Sequence, residues 1–254
     1  MKAQSRSSST PTKLSKRSPA KKDASRWTSA AVLRELKSLA DPKVRAKMAY
    51  FGVRVPKAHG ISVPVLHKFA KNIGKDHELA RNLWRSGIHE ARILATLIGQ
   101  SEKVTAAEME SWARDFDSWD LVDASCCYLY AYAKPAWTKA VAWSRRREEF
   151  VKRASFSLIA YLSYKDKDAH NTRFRKCLRT IEREARDERH FVKKAVNWAL
   201  RNIGKRNLEL NRAAIRAAER IRQQGTPSAR WIAADALREL KSAAVQTRLR
   251  RKTS

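Results

Sequence analysis

Two stretches of the chain repeat each other, and that repetition limits the fold more than any other feature. "EEFVKRASFSLIAYLS" begins at Glu148 and "RHFVKKAVNWALRNIG" at Arg189. Phe150 matches Phe191, Val151 matches Val192, Lys152 matches Lys193, and Ala154 matches Ala195. Weaker echoes lie in "HEARILATLIG" at His89 and "ARWIAADALREL" near Arg230. A helical unit with a period of roughly forty residues cannot bury its apolar stripe alone. Stacked on its neighbours it builds a continuous core, as in HEAT-like or armadillo-like solenoids.

The rest of the chain supports an all-α reading. Gly and Pro number 7 each in 254 residues, and apolar residues recur at three- and four-residue spacing rather than in alternation. "TSAAVLRELKSLA" predicts a helix capped by Thr28 or Ser29, with Val32, Leu33, Leu36 and Leu39 on one face. "VPVLHKFAKNIG" has Pro64 in its first turn and Gly74 at its stop. Further helices are expected from Asp76, His89, Thr105, Ser118, Lys134, Glu148, Asp168, His190, Leu208 and Ser228. Residues 1–26 are Ser, Lys, Arg and Pro with almost nothing apolar, the composition of a disordered basic arm. Residues 244–254 read as a shorter basic tail, which leaves 27–243 for the repeat domain.

The formal net charge is +30. Self-repulsion on that scale opposes compaction unless a polyanion is the usual partner. Nucleic acid is the first candidate, an anionic membrane surface the second, and a ribosomal or solubilising role the plainest. No apolar run has the length of a membrane span, and the N-terminus lacks the apolar core of a secretory signal. A cytoplasmic place, at the nucleoid through DNA binding, is therefore expected. Cys126, Cys127 and Cys177 form no CxxC pair, and reduced, buried thiols are expected. The six histidines show no metal-binding spacing, so no metal and no cofactor is expected.

In a stack of this kind one helix per repeat lines a concave surface. Arg92, Lys152, Arg153, Lys193 and Lys194 recur at matching places and would make that surface a basic trough for duplex phosphates. For any one lysine a solvated helix face is the plainer reading; the recurrence weakens it for the set. Against this charge stands "DFDSWDLVD", Asp115 to Asp123, with four acids around a Trp. Asp115, Asp117 and Asp120 are accounted for by helix capping and the first-turn dipole. Asp123 lies too far into the helix for either. It shares a face with Trp119, four residues earlier. Trp27, Trp84, Trp112, Trp137, Trp143 and Trp231 are assigned to core or interface. His59, His67, His89 and His190 need no more than capping or exposed roles.

"YFGVRVPKAHGISVPVLHKFAKNIGKDHELARNLWRSGIHEARILATLI" resembles the N-terminal half of the bacterial DNA alkylation repair family, whose best-known branch is the HEAT-like-repeat DNA glycosylases. "DFDSWDLVD", "EEFVKRASFSLIAYL", "IEREARDERHFVKKAVNWALRNIGKRN" and "ARWIAADALREL" continue the likeness in order, over about Ala40 to Leu240. The resemblance implies a monomeric, right-handed α-solenoid with a concave basic groove for double-stranded DNA. It implies removal of N3- and N7-alkylated purines without the usual base extrusion. The family's cleft carries two Trp, an Asp and an Arg, and these fall on Trp119, Trp198, Asp123 and Arg153.

Those residue types suit that chemistry. A cationic alkylpurine is already a good leaving group, so what remains is positive charge developing on the sugar. Asp123 would stabilise that charge and orient a water. The Trp119 and Trp198 faces would hold the sugar or the cationic base, at about 0.5–2 kcal/mol per contact. Arg153 would grip a phosphate. Two other readings stand beside this one. The first is a HEAT-like binder of damaged or branched DNA that cuts no bond. The second is a protein-interaction scaffold, which the charge disfavours.

Overall fold

The computed structural model describes residues 27–251; the expected arm, 1–26, lies outside the described residues. Among them the regular structure is helical throughout. Three helices lead: α1 (Ser29–Ser38), α2 (Pro42–Tyr50) and α3 (Val63–Ile73). Pairs then follow: α4 (His77–Arg85) with α5 (His89–Ile98), α6 (Ala106–Ala113) with α7 (Trp119–Ala124), and α8 (Ala136–Ala142) with α9 (Glu149–Lys165). The last pairs are α10 (Asn171–Glu184) with α11 (His190–Gly204) and α12 (Leu208–Gln223) with α13 (Pro227–Leu240). The last described helix is α14 (Ala243–Arg251).

Local chemistry sets these boundaries. The side chains of Thr28, Asp76, Thr105, Asn207 and Thr226 each accept a backbone N–H of the first turn that follows, satisfying donors the helix itself cannot. Gly74 ends α3 at φ +86°, a conformation that costs a side chain with a Cβ. In α10 the buried residues Phe174, Cys177, Leu178 and Ile181 fall at helical spacing, the stripe of a helix covered on one side only.

Helices α5, α7, α9, α11 and α13 pack one on the next, while α10 and α12 pack on each other behind them. The result is an α-solenoid of HEAT-like repeats whose inner, concave wall is the α5–α13 series. The residues that match in sequence match in role. Val151, Val192, Ala154 and Ala195 are buried, and Phe150 and Phe191 meet across the joint with ring centroids 5.5 Å apart. Acids on one repeat tie cations on another: Lys152 Nζ lies 2.6 Å from Glu184, Lys205 Nζ 2.6 Å from Glu239, and Arg220 Nε donates to Glu182 at 2.9 Å.

The loop from Gly52 to Ser62 is fixed by Glu90, which is fully buried at the start of α5. Its carboxylate accepts the backbone N–H groups of His59, Gly60 and Ile61 at 2.7–3.3 Å. Gly60 sits at φ +82°, and a Cβ there would lie 2.3 Å from the Asp41 carbonyl oxygen.

The structure corrects two boundaries and one face. Asp41 caps α2 and Pro42 starts it, but the helix has almost no apolar stripe and periodicity does not reveal it. Residues from 244 are not a loose tail, because α14 runs to Arg251 with Val245 and Leu249 buried. In α1, Val32 and Leu36 are buried, whereas Leu39 lies past the last turn and is exposed. No described helix is long and apolar enough to cross a membrane.

Candidate active site and nucleic-acid interface

The carboxylates of "DFDSWDLVD" are each committed to a specific partner. Asp115 accepts the indole N–H of Trp84 at 2.8 Å, and Asp115 and Asp117 flank Arg92 at 3.5 and 3.7 Å. Asp120 binds His89 Nε2 at 2.9 Å. His89 is thus buried and paired, not an exposed helix start. Burial presses its pKa down, but the hydrogen bond and charge of Asp120 outweigh this and hold it above the ordinary value. The pair pins α7 to α5. Asp117 accepts from the Ser118 hydroxyl at 3.3 Å, and Ser118, at the helix start, forms no side-chain cap.

Asp123 is held differently. Its Oδ2 accepts from Arg153 Nη2 at 2.8 Å and its Oδ1 from the Ser157 hydroxyl at 2.9 Å. Arg153 and Ser157 are one helical turn apart on α9, so one face of that helix supplies both donors. The Asp123 side chain remains 20% exposed. Burial lifts its pKa above the usual carboxylate value, and the opposing pull of Arg153 and Ser157 only reduces the rise. Directly after Asp123 the helix widens into a π-turn over Ser125–Leu129, a distortion that often marks functional positions.

Of the two expected tryptophans, Trp198 lines the cleft beside Asp123 and Trp119 does not. The Trp119 ring packs on Val53, Val55 and Ala58, its indole N–H donates to the Phe51 carbonyl at 3.0 Å, and the Arg153 guanidinium lies 5.9 Å from its centre. Trp198 is half-buried and meets the edge of Tyr161 at 4.9 Å. Asp123, Arg153 and Trp198 line one open cleft of 430 Å³, together with Lys194, Arg201 and Trp231.

The basic residues divide. Lys194 is exposed on the cleft wall, and Lys193 reaches over the Trp231 ring at 5.9 Å. Arg153 is in the cleft but only 7% exposed. Its N–H groups go to Asp123 and to the Phe191 carbonyl at 2.9 Å, which leaves little of it for a phosphate. Lys152 and Arg92 are elsewhere. Lys152 sits between Glu184 and Asp187. Arg92 is held by the Asp115 carbonyl at 3.1 Å and by the acids beside it. Both tie repeats together, because a buried cation needs its counter-charge close by.

Sequence reasoning missed Ser157 and assigned Trp231 to core or interface, whereas it is 40% exposed and lines the cleft. The signal for Ser157 was its position four residues after Arg153. For Trp231 it was its place on the next helix of the inner wall. Cys126 and Cys177 are buried and Cys127 is half-buried, all as free thiols.

Comparisons with known proteins agree with this architecture. One solved structure has 18% sequence identity and a TM-score of 0.70, covering 87% of this chain and 95% of its own. It is a protein of a new family related to the HEAT-like repeat DNA glycosylases, with affinity for branched DNA structures. A designed armadillo repeat protein in complex with a (KR)4 peptide is 13% identical at a TM-score of 0.33, covering 87% of each chain. The search of curated proteins gives no match. Residues 32–240 match the family described as DNA alkylation repair enzyme. The chain therefore belongs to the DNA alkylation repair enzyme family.

Proposed function

We propose that the protein hydrolyses the N-glycosidic bond of cationic N3- or N7-alkylated purines in double-stranded DNA. The observation that carries this reading is Asp123, fixed by Arg153 and Ser157 on the wall of a cleft lined by Trp198 and Trp231, with the Trp119 ring 5.9 Å from the same Arg153. As the glycosidic bond breaks, its electron pair goes to the base and neutralises it, so no general acid is required. Positive charge grows on the sugar. The Asp123 carboxylate stabilises that charge and takes a proton from the water that attacks C1′. The indole faces of Trp119 and Trp198 are suited to a cationic sugar or base. Arg153 acts here as a positioning residue for Asp123, and Lys194 and Lys193 are the nearer candidates for phosphates. No lysine is singled out as a Schiff-base nucleophile, which supports a monofunctional enzyme; the family resemblance supports a monomer that acts where the DNA lies, at the cytoplasmic nucleoid.

The test is release of free 7-methylguanine and 3-methyladenine from methylated duplex DNA by the wild type and Asp123→Asn, with duplex affinity measured on both. Release by the wild type alone supports the enzyme and its carboxylate. Release by both keeps the enzyme and discards Asp123. No release by either, with DNA still bound, favours a second reading, a non-catalytic binder of damaged or branched DNA. The affinity described for the 18%-identical structural relative motivates that alternative.

A further inference from the structure

A second cleft, of 540 Å³, adjoins the first along the same helix. The Asp123 cleft uses Lys194 to Arg201 of α11; the second uses Asn202 and Lys205 and the turn that follows. Its walls carry four cations, Lys167, Lys205, Arg206 and Arg248, and no acid. Three other clefts have carboxylates on their walls; a smaller, mostly apolar one carries Arg173 and Lys176 without an acid, but none of them gathers four cations. Two of the four cations are partly committed. Lys205 pairs with Glu239 at 2.6 Å, and Arg206 donates to the carbonyls of Ser163, Lys167 and Ala169. Lys167 and Arg248 are exposed, and among the described residues Arg248 donates to the Lys205 carbonyl at 3.4 Å.

The cleft also has an aromatic wall. Tyr164 lines it and is 42% exposed. A chain of rings joins it to the first cleft: Tyr164 lies 5.8 Å from Tyr161, which lies 4.9 Å from Trp198. A duplex stacks its base faces on one another and presents phosphates, sugars and the base edges in its grooves. A strand without a partner presents both phosphates and base faces, and exposed rings beside cations are what such a strand binds.

We propose that this cleft holds an unpaired nucleic-acid strand running off the duplex in the concave groove, its phosphates at Lys167 and Arg248 and a base against Tyr164. The inference rests on the nucleic-acid reading of that groove, but it requires no glycosylase activity.

The experiment compares two DNA probes, a plain duplex and the same duplex with a 3′ or 5′ oligo-dT arm, over a salt series. The proteins are the wild type, Tyr164→Ala and the double variant Lys167→Glu/Arg248→Glu, each checked by circular dichroism and thermal melting. The expected result is a wild type that binds the armed duplex about tenfold tighter than the plain one. Both variants lose most of that gain yet bind the plain duplex within twofold of wild type. For the double variant the salt slope on the armed duplex falls by about 1.4, two single-strand phosphate contacts at about 0.7 each. A wild type indifferent to the arm overturns the proposal. So do variants that lose affinity for both probes alike, which would make the cleft a duplex-backbone contact. Failure of the wild type to bind either probe would instead overturn the nucleic-acid reading on which it rests.

Discussion

Replacing Arg153 with Ala separates two accounts of that residue. Its side chain is 7% exposed, and its guanidinium bonds Asp123 at 2.8 Å and the Phe191 carbonyl at 2.9 Å. Removing one partner of a buried ion pair costs about 3–5 kcal/mol, mostly through the charge left behind. Asp123 keeps some water, with 20% of its side chain exposed, and solvent screening brings the cost to the foot of that range or just below it, about 2–3 kcal/mol. For a domain of this size each kcal/mol moves Tm by about 2–4 °C, giving a drop of about 4–12 °C. Asp123→Asn, Arg153→Ala and the double variant then form a thermodynamic cycle read by urea denaturation. The coupling energy expected is about 1–3 kcal/mol. Single effects that add within about 0.5 kcal/mol would refute the pairing. DNA binding supplies an independent check. If Arg153 serves Asp123, its loss leaves the salt slope of duplex binding unchanged; a phosphate contact would lower the slope by about 0.9.

Other outcomes follow from the same geometry. In the proposed reaction Asp123 works ionised, so base release should fall as pH drops through a pKa above the ordinary carboxylate value. Ser157→Ala removes a donor to the ionised form, so single-turnover rates should show that acid limb moved to higher pH. Gly60→Ala forces a Cβ to 2.3 Å from the Asp41 carbonyl at φ +82°, and denaturation should show a loss of about 2–5 kcal/mol. Lys152→Ala should lower Tm while leaving duplex affinity nearly unchanged, whereas Lys194→Ala should do the reverse, as melting and fluorescence anisotropy would show. For His89 the pKa is raised on folding, so its pairing with Asp120 contributes stability that is full below pH 6.5 and lost as pH rises through the raised value. Melting curves across that range should flatten in Asp120→Asn.

How far the sequence was legible depended on whether a residue's partner was local. The stacked helices could be read because apolar spacing, caps and the Phe150/Phe191 repeat are all short-range signals. Helix α2 could not, since a capping Asp41 and Pro42 sustain it without an apolar stripe. The same limit applied to charge. Lys152 and Lys194 look alike along the chain, yet one faces Glu184 and Asp187 from the next repeat and the other faces solvent. Only the pairing of distant turns decides which cations remain free. Trp119 and Asp123 were legible because the spacing of one helix joins them. Trp231 was not, because its place on the cleft wall depends on how α13 sits against α11.

A stacked array has no intrinsic length, and its last repeat would present an apolar face to whatever came next. Helix α14 closes that face with Val245 and Leu249, and its Gln246 amide donates to the Leu240 carbonyl at 2.7 Å and to Asn211 at 3.0 Å. Outward it shows Arg248 and Arg251, both exposed. Two such ends repel one another, whereas two uncovered ends would adhere and continue the stack from molecule to molecule, the open head-to-tail growth that heterologous contacts allow. What composition offers as a loose basic appendage is, in the folded chain, a cover laid over the apolar side of the repeat before it.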